Sequence, residues 1–260
     1  VDGRELQGSP TGTGRYLRNL LRIWPATGDD GLIVYFRGDA PPDPVLDHPR
    51  VAVRALPALR PGVLWQERRL APAAARDGVD VLFCPAYSCP LSLQRPRVTA
   101  VHDLSFYDVP DDFGLRDGAR RRALVAASVR ASAAVLACSE FTRRQVLHWF
   151  PDARGRVAHV PLGADGDLPA PPPREEARAR LAVAGPLAIT VGAIFNRRCL
   201  PVLFRAVSRL VRRHPALVLD VVGENRTVPP LDLERAVRAV GLERHVRLSG
   251  FVGEADLALR

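Results

Sequence analysis

Short apolar runs alternate with helix-periodic segments along almost the whole of this 260-residue chain. The runs at 32–36, 51–55, 79–83, 97–101, 133–138, 156–160, 187–192, 217–223 and 245–249 predict strands. Apolar residues spaced by three and four predict helices over 14–24, 62–75, 115–132, 140–150, 175–181, 200–214 and 231–240. The helix after the seventh run has the clearest stripe. Leu200, Leu203, Phe204, Val207, Leu210 and Val211 share one side, with Arg205, Ser208, Arg209 and Arg212 opposite. Pro201 falls in its first turn, where a missing N–H costs nothing. Several runs, Leu217-Val218-Leu219 among them, lack in–out alternation, as expected of strands covered on both faces in a parallel α/β sheet.

One break interrupts the series. Residues 165–178, rich in Pro and charge, predict a linker followed by a short helix, and so two domains, 1–165 and 166–260. Residues 254–260 look like the opening of a helix, and the first residue is Val rather than Met. Both are expected of a piece of a longer protein.

Composition narrows the class without naming a chemistry. No apolar run reaches the ~18 residues of a membrane span, and no signal-peptide pattern opens the chain. The net charge is +9, and every basic residue other than His is Arg. Exclusive Arg use fits codon bias and is discounted as a nucleic-acid signal. A basic surface still favours anionic partners such as nucleotide phosphates and phospholipid headgroups. Cys84, Cys89, Cys138 and Cys199 form neither a CxxC pair nor a metal-like group with His. Buried, reduced thiols in a cytosolic protein are expected, and no metal site.

Candidate chemistry gathers where the runs end. Gly192 closes the seventh strand, and Arg197 and Arg198 stand just ahead of the next helix. Two guanidiniums beside unpaired backbone N–H groups would receive a phosphate or diphosphate, unless they are a solvated loop edge. Near the start, Gly8 leads through Gly12-Thr13-Gly14 into a helix with Leu17, Leu20, Leu21 and Trp24 on one side. Those glycines would let a backbone approach an anion, or would simply make a tight turn; Leu17 replaces the third glycine of a dinucleotide fingerprint. The fourth strand ends in His102-Asp103. This His could bond a substrate hydroxyl while Asp103 orients a neighbour, or the two could be a structural His and an Asx turn. Ser139 reads as the cap of the helix that follows it. Gly223 and Gly250, with Phe251 and Val252, end two strands of the second half; they would seat a nucleoside or make ordinary turns.

In chain order, these segments are Thr11-Gly-Thr-Gly-Arg-Tyr-Leu17, Asp80-Val-Leu-Phe-Cys-Pro85, Val101-His-Asp-Leu-Ser105, Val135-Leu-Ala-Cys-Ser-Glu140, Val160-Pro-Leu-Gly-Ala-Asp165, Val191-Gly192 with Arg197-Arg198, and Leu248-Ser-Gly-Phe251. The ordered set resembles the retaining glycosyltransferases of family four, over nearly the whole chain. That resemblance implies a GT-B fold: two Rossmann-like parallel-sheet domains facing a cleft, the second truncated here. It implies transfer of a sugar from a nucleotide diphosphate sugar, with the first domain on the acceptor side and the second holding the donor. His102 and Asp103 would be catalytic. Gly12, Thr13, Gly14, Gly192, Arg197 and Arg198 would bind the donor phosphates, with Arg at one position of an Arg-Lys pair. Gly223, Gly250, Phe251 and Val252 would hold the nucleoside.

The nucleotide sugar, GDP- or UDP-linked and mannose by family frequency, enters as substrate, with no cofactor and no metal. The expected acceptor is a glycan or a lipid-linked sugar, in cell-envelope polysaccharide biosynthesis. A cytoplasmic chain with a peripheral contact to anionic membrane through Arg116, Arg120, Arg121 and Arg122 is expected, and no specific nucleic-acid partner. The family's pair of glutamates lies beyond this sequence, so the 260 residues alone are expected to be inactive or nearly so. Two alternatives stay open: a non-catalytic basic module binding anionic membrane or nucleic acid, and a sugar-nucleotide epimerase sharing the fold.

Overall fold

A computed structural model describes residues 1–8, 11–163 and 170–260. Contacts divide the chain into two compact units, Val1–Asp108 with Arg116–Ala164, and Val109–Leu115 with Asp165–Arg260. The expected boundary at 165/166 and the first part of the expected linker lie outside the described residues.

In the first unit β1 (Leu32–Arg37) pairs with β2 (Val51–Leu56). Separately β3 (Leu82–Cys84), β4 (Arg97–Val101), β5 (Ala134–Ala137) and β6 (Val157–His159) pair in that order, all parallel. The first three residues tie the two sheets together. Tyr35 N–H donates to the Val1 carbonyl, Gly3 N–H to the Tyr35 carbonyl and Asp2 N–H to the Phe83 carbonyl, each at 2.9 Å. The order is then β2, β1, the stub 1–3, β3, β4, β5, β6. Strands are added outward in opposite directions from the stub and β3, which makes that junction a topological switch point.

Both faces of this sheet are covered. Val34 and Phe36 pack against Leu17 and Leu21 of α1 (Gly12–Thr27). Tyr35, pointing the other way, packs against Trp65, Leu70 and Ala74. Those residues belong to one helical stretch made of α2 (Gly62–Trp65), a π turn (Gln66–Leu70) and α3 (Ala71–Arg76). The short α4 (Ser105–Asp108), which periodicity did not reveal, precedes α5 (Leu115–Ala131). Ser139 caps α6 (Glu140–Trp149), its Oγ accepting from Thr142 N–H at 3.0 Å.

The second unit holds α7 (Arg174–Arg180) and a parallel sheet of β7 (Leu187–Val191), β8 (Val218–Val222) and β9 (Val246–Gly250). α8 (Leu200–Leu210) and α9 (Leu233–Arg238) cover one face, through Phe204, Val207 and Val237 against Leu219 and Val221. α10 (Glu254–Leu259) follows β9. The expectation of strands buried on both faces holds for β8 and fails for β7, where Ile189 is 38% and Val191 44% exposed. An apolar run reports the chemistry of a strand, not whether a neighbour lies on both of its sides. The thiols meet the expectation of burial only in part. All four are free; Cys84 and Cys89 are buried, Cys138 is half-buried, and Cys199 is exposed at the start of α8. No described helix is long and apolar enough to cross a membrane.

Candidate active site

The switch point of the first unit gathers several of the expected residues. α1 opens at Gly12 with Thr11 as its cap, Thr11 Oγ1 accepting from Gly14 N–H at 2.9 Å. That leaves first-turn N–H groups of the helix without an intrahelical acceptor. Gly12 is exposed with open space around it. Thr13 is half-buried. Gly14 is buried, and a methyl there would stand 2.5 Å from the Glu5 carbonyl. Gly14 therefore serves close backbone packing of the turn onto the residues before it.

One turn further along α1, Tyr16 meets the His102 ring edge-on, with centroids 5.1 Å apart. The Gly12–Gly14 turn and His102 are thus neighbours. His102 follows β4 directly, and its Nε2 lies 2.7 Å from the Pro85 carbonyl. Asp103 takes the turn-making role: its Oδ1 accepts from Ser105 N–H at 3.4 Å and Ser105 Oγ at 3.2 Å. A second polar cluster lies beside the stub. Asp2 pairs with Arg4 at 2.6 Å, and the buried Gln66 of the π turn donates to Asp2 at 3.1 Å. π turns recur at functional sites. Gln66 carried no sequence signal, and Tyr16 stood in the first motif with no role given to it, because each gains its place from a partner distant in the chain.

In the second unit the ends of β7, β8 and β9 are three glycines with positive φ: Gly192 at 115°, Gly223 at 139° and Gly250 at 62°. They form a connected shelf. Gly192 N–H donates to the Val222 carbonyl at 2.9 Å, and Gly223 N–H to the Gly250 carbonyl at 2.6 Å. The space a side chain would need at Gly223 is occupied by the Gly192 carbonyl, whereas Gly250 faces open space. Phe251, next along, is 60% exposed, and Val252 is half-buried.

The arginine pair occupies a short 3₁₀ turn (Asn196–Arg198) before α8, and its two members differ. The exposed Arg198 lies over Gly192, where a methyl would come within 2.8 Å of Nη2, while its Nη1 donates to the Val191 carbonyl at 2.9 Å. Arg197 stacks on Phe195 at 4.2 Å and, within the same unit, on Phe113 at 5.5 Å. Its Nη1 is buried with no hydrogen-bond partner among the described residues. Among those residues no three His, Cys, Asp or Glu side chains gather as metal ligands would.

The arginine cluster of α5 is largely engaged. Arg120 and Arg121 both pair with Asp117, at 2.9 and 2.6 Å. The Arg121 bond, with help from Arg120, holds the Asp117 carboxyl below its ordinary range. Arg122 donates to the Phe106 carbonyl at 2.9 Å. Arg116 is exposed.

Two parallel α/β units, one with a histidine at its switch point and the other with a glycine shelf and arginine at its strand ends, have the architecture of the GT-B glycosyltransferases. The sequence profile of Glycosyltransferase Family 4 matches residues 10–168, and the chain belongs to that family. No curated protein matches. Among solved structures, Anabaena Alr3699/HepE in complex with UDP-glucose is similar at 19% identity and a TM-score of 0.64, over 95% of this chain and 68% of that one. Sucrose-phosphate synthase from Thermosynechococcus elongatus is similar at 18% identity and a TM-score of 0.66, over 99% and 69%. WaaG, a glycosyltransferase involved in lipopolysaccharide biosynthesis, is similar at 17% identity and a TM-score of 0.60, over 95% and 68%.

Proposed function

We propose that this glycosyltransferase moves a sugar from a nucleotide diphosphate sugar to a glycan or lipid-linked acceptor, with retention of anomeric configuration. The observation that carries this reading is the shelf of Gly192, Gly223 and Gly250 with the Arg198 guanidinium over its first member. A diphosphate laid there meets a fixed cation, the Arg198 guanidinium. As the glycosidic bond breaks, negative charge grows on the leaving diphosphate, and preorganised donors stabilise it where it forms. Arg198 takes the larger share, since it is exposed while Arg197 is clamped between rings. Phe251 and Val252 stand where a nucleoside would pack. In the other unit His102 serves the transferred sugar, and Asp103 acts by shaping the turn that follows. The donor domain is 166–260 and the acceptor domain 1–165.

UDP-glucose in the similar HepE makes UDP-sugars the first donors to try, ahead of GDP-mannose. Calorimetric titration with UDP, GDP and ADP is expected to give one tight nucleotide and two weak ones. NMR of the product from that nucleotide's α-linked sugar is expected to report an α linkage; a β linkage would remove retention. The likeness to WaaG favours an envelope polysaccharide or lipid-linked acceptor.

A peripheral contact with anionic membrane, and with it a cytoplasmic location at the inner membrane face, would rest on the start of α5. Arg116 is exposed there beside Leu115, which is 90% exposed. Co-sedimentation is expected with vesicles containing phosphatidylglycerol and not with pure phosphatidylcholine; equal binding to both would exclude the contact.

A further inference from the structure

β3 ends at Cys84, and the next four residues, Pro85-Ala-Tyr-Ser88, turn the chain against the end of β4. Tyr87 sits at φ 56°, in the left-handed region that a bulky side chain rarely occupies. Its surroundings hold it there. The Tyr87 N–H donates to the Ala100 carbonyl at 2.9 Å. The next residue, Ser88, is clamped to the buried Gln66, whose amide donates to the Ser88 carbonyl at 2.9 Å and accepts from Ser88 Oγ at 3.1 Å. Conformations of this kind persist where neighbours over-determine them, and they cluster at functional sites.

What this turn presents is directed at one residue. Pro85 offers its carbonyl to His102 Nε2, and the Tyr87 ring meets the imidazole edge-on, with centroids 5.7 Å apart and planes at 69°. A carbonyl oxygen can only accept, so Nε2 carries a proton. In the neutral ring the lone pair is then on Nδ1. The backbone of His102 is fixed as well, its carbonyl accepting from Cys138 Sγ at 3.0 Å and Thr142 Oγ1 at 3.2 Å. Burial, with the Asp103 carboxylate nearby, pushes the Tyr87 phenol above its ordinary range, so it meets His102 as a neutral group.

We propose that Tyr87 is a positioning residue for His102: its left-handed turn fixes the imidazole as the Nε2–H tautomer and leaves Nδ1 as the acceptor for a hydroxyl of the transferred sugar. The second half of this statement rests on the sugar-facing role of His102 given above; the first half does not.

The test is a long-range nitrogen–proton correlation spectrum of the 260-residue chain with ¹⁵N-labelled histidine, at about pH 8, where an ordinary imidazole is neutral. His102 is expected to give a protonated, pyrrole-type Nε2 and a bare, pyridine-type Nδ1. Tyr87→Phe keeps the ring and should leave that pattern unchanged. Tyr87→Val places a β-branched residue where φ must be positive, and should mix the tautomers. An Nδ1–H or averaged pattern in the wild-type chain would overturn the proposal, whether or not Tyr87→Val folds. So would a folded Tyr87→Val chain with the wild-type pattern. Adding UDP-glucose or GDP-mannose to saturation should move the Nδ1 signal. An Nε2–H tautomer whose Nδ1 ignores both would overturn the sugar-facing role and leave the hold of the turn on the tautomer standing.

Discussion

In an enzyme that includes the family's glutamate pair, replacing Arg198 with Ala is expected to lower kcat/KM for the nucleotide sugar by about 100-fold or more, the range found when one preorganised donor to a developing anion is removed. Arg198 lies over Gly192 with Nη1 held by the Val191 carbonyl, so the rest of the guanidinium would already be aimed at a donor on the proposed shelf. Arg198→Lys should fall between the two, because it keeps the charge and loses the planar fork. Arg197→Ala should cost less in donor binding, since that side chain is engaged with Phe195 and Phe113. Steady-state kinetics of the three variants, with nucleoside diphosphate titrations alongside, check the ranking. Wild-type kcat/KM in Arg198→Ala would move the donor site elsewhere.

Gly223→Ala is expected to destabilise the second unit by about 3 kcal/mol or more, adding left-handed strain to a steric conflict with main chain. At φ 139° no side chain is comfortable, and the added methyl would meet the Gly192 carbonyl, which cannot swing aside as a flexible side chain would. Thermal unfolding should show a markedly lower midpoint for the transition of that unit. Gly250→Ala serves as the control: it carries positive φ with open space around it, so only the conformational cost, about 1 kcal/mol, should appear. Equal midpoints for the two variants would mean that the β7–β8 corner relaxes more easily than its geometry indicates.

Much of the fold was legible in the chain, and the legible parts share a cause. All nine apolar runs became strands, and the stripe of Leu200, Phe204 and Val207 became the core-facing side of α8, because periodicity is a local property. Features set by distant partners were not legible. Nothing near Ile189 tells that β7 lies at the edge of its sheet. Nothing near Tyr87 announces a left-handed residue, which depends on Ala100 across the sheet and on Gln66 in a π turn. The segment Val109–Leu115 clusters with the second unit although the chain places it in the first half. At the sites, glycines and arginines were visible as residue types, and their division of labour was not. Gly14 and Gly223 are required by carbonyls packed against them, and Arg197 and Arg198, adjacent in sequence, point to different surroundings.

The shelf at the strand ends is made of main chain, and peptide groups offer the same contour whatever their ligand carries. On the proposed donor site, discrimination between one base or hexose and another would fall to side chains around the margin, such as the exposed phenyl ring of Phe251. If the donor lies there as proposed, exchanging those side chains would change donor preference and leave the corner glycines and the cation above them untouched.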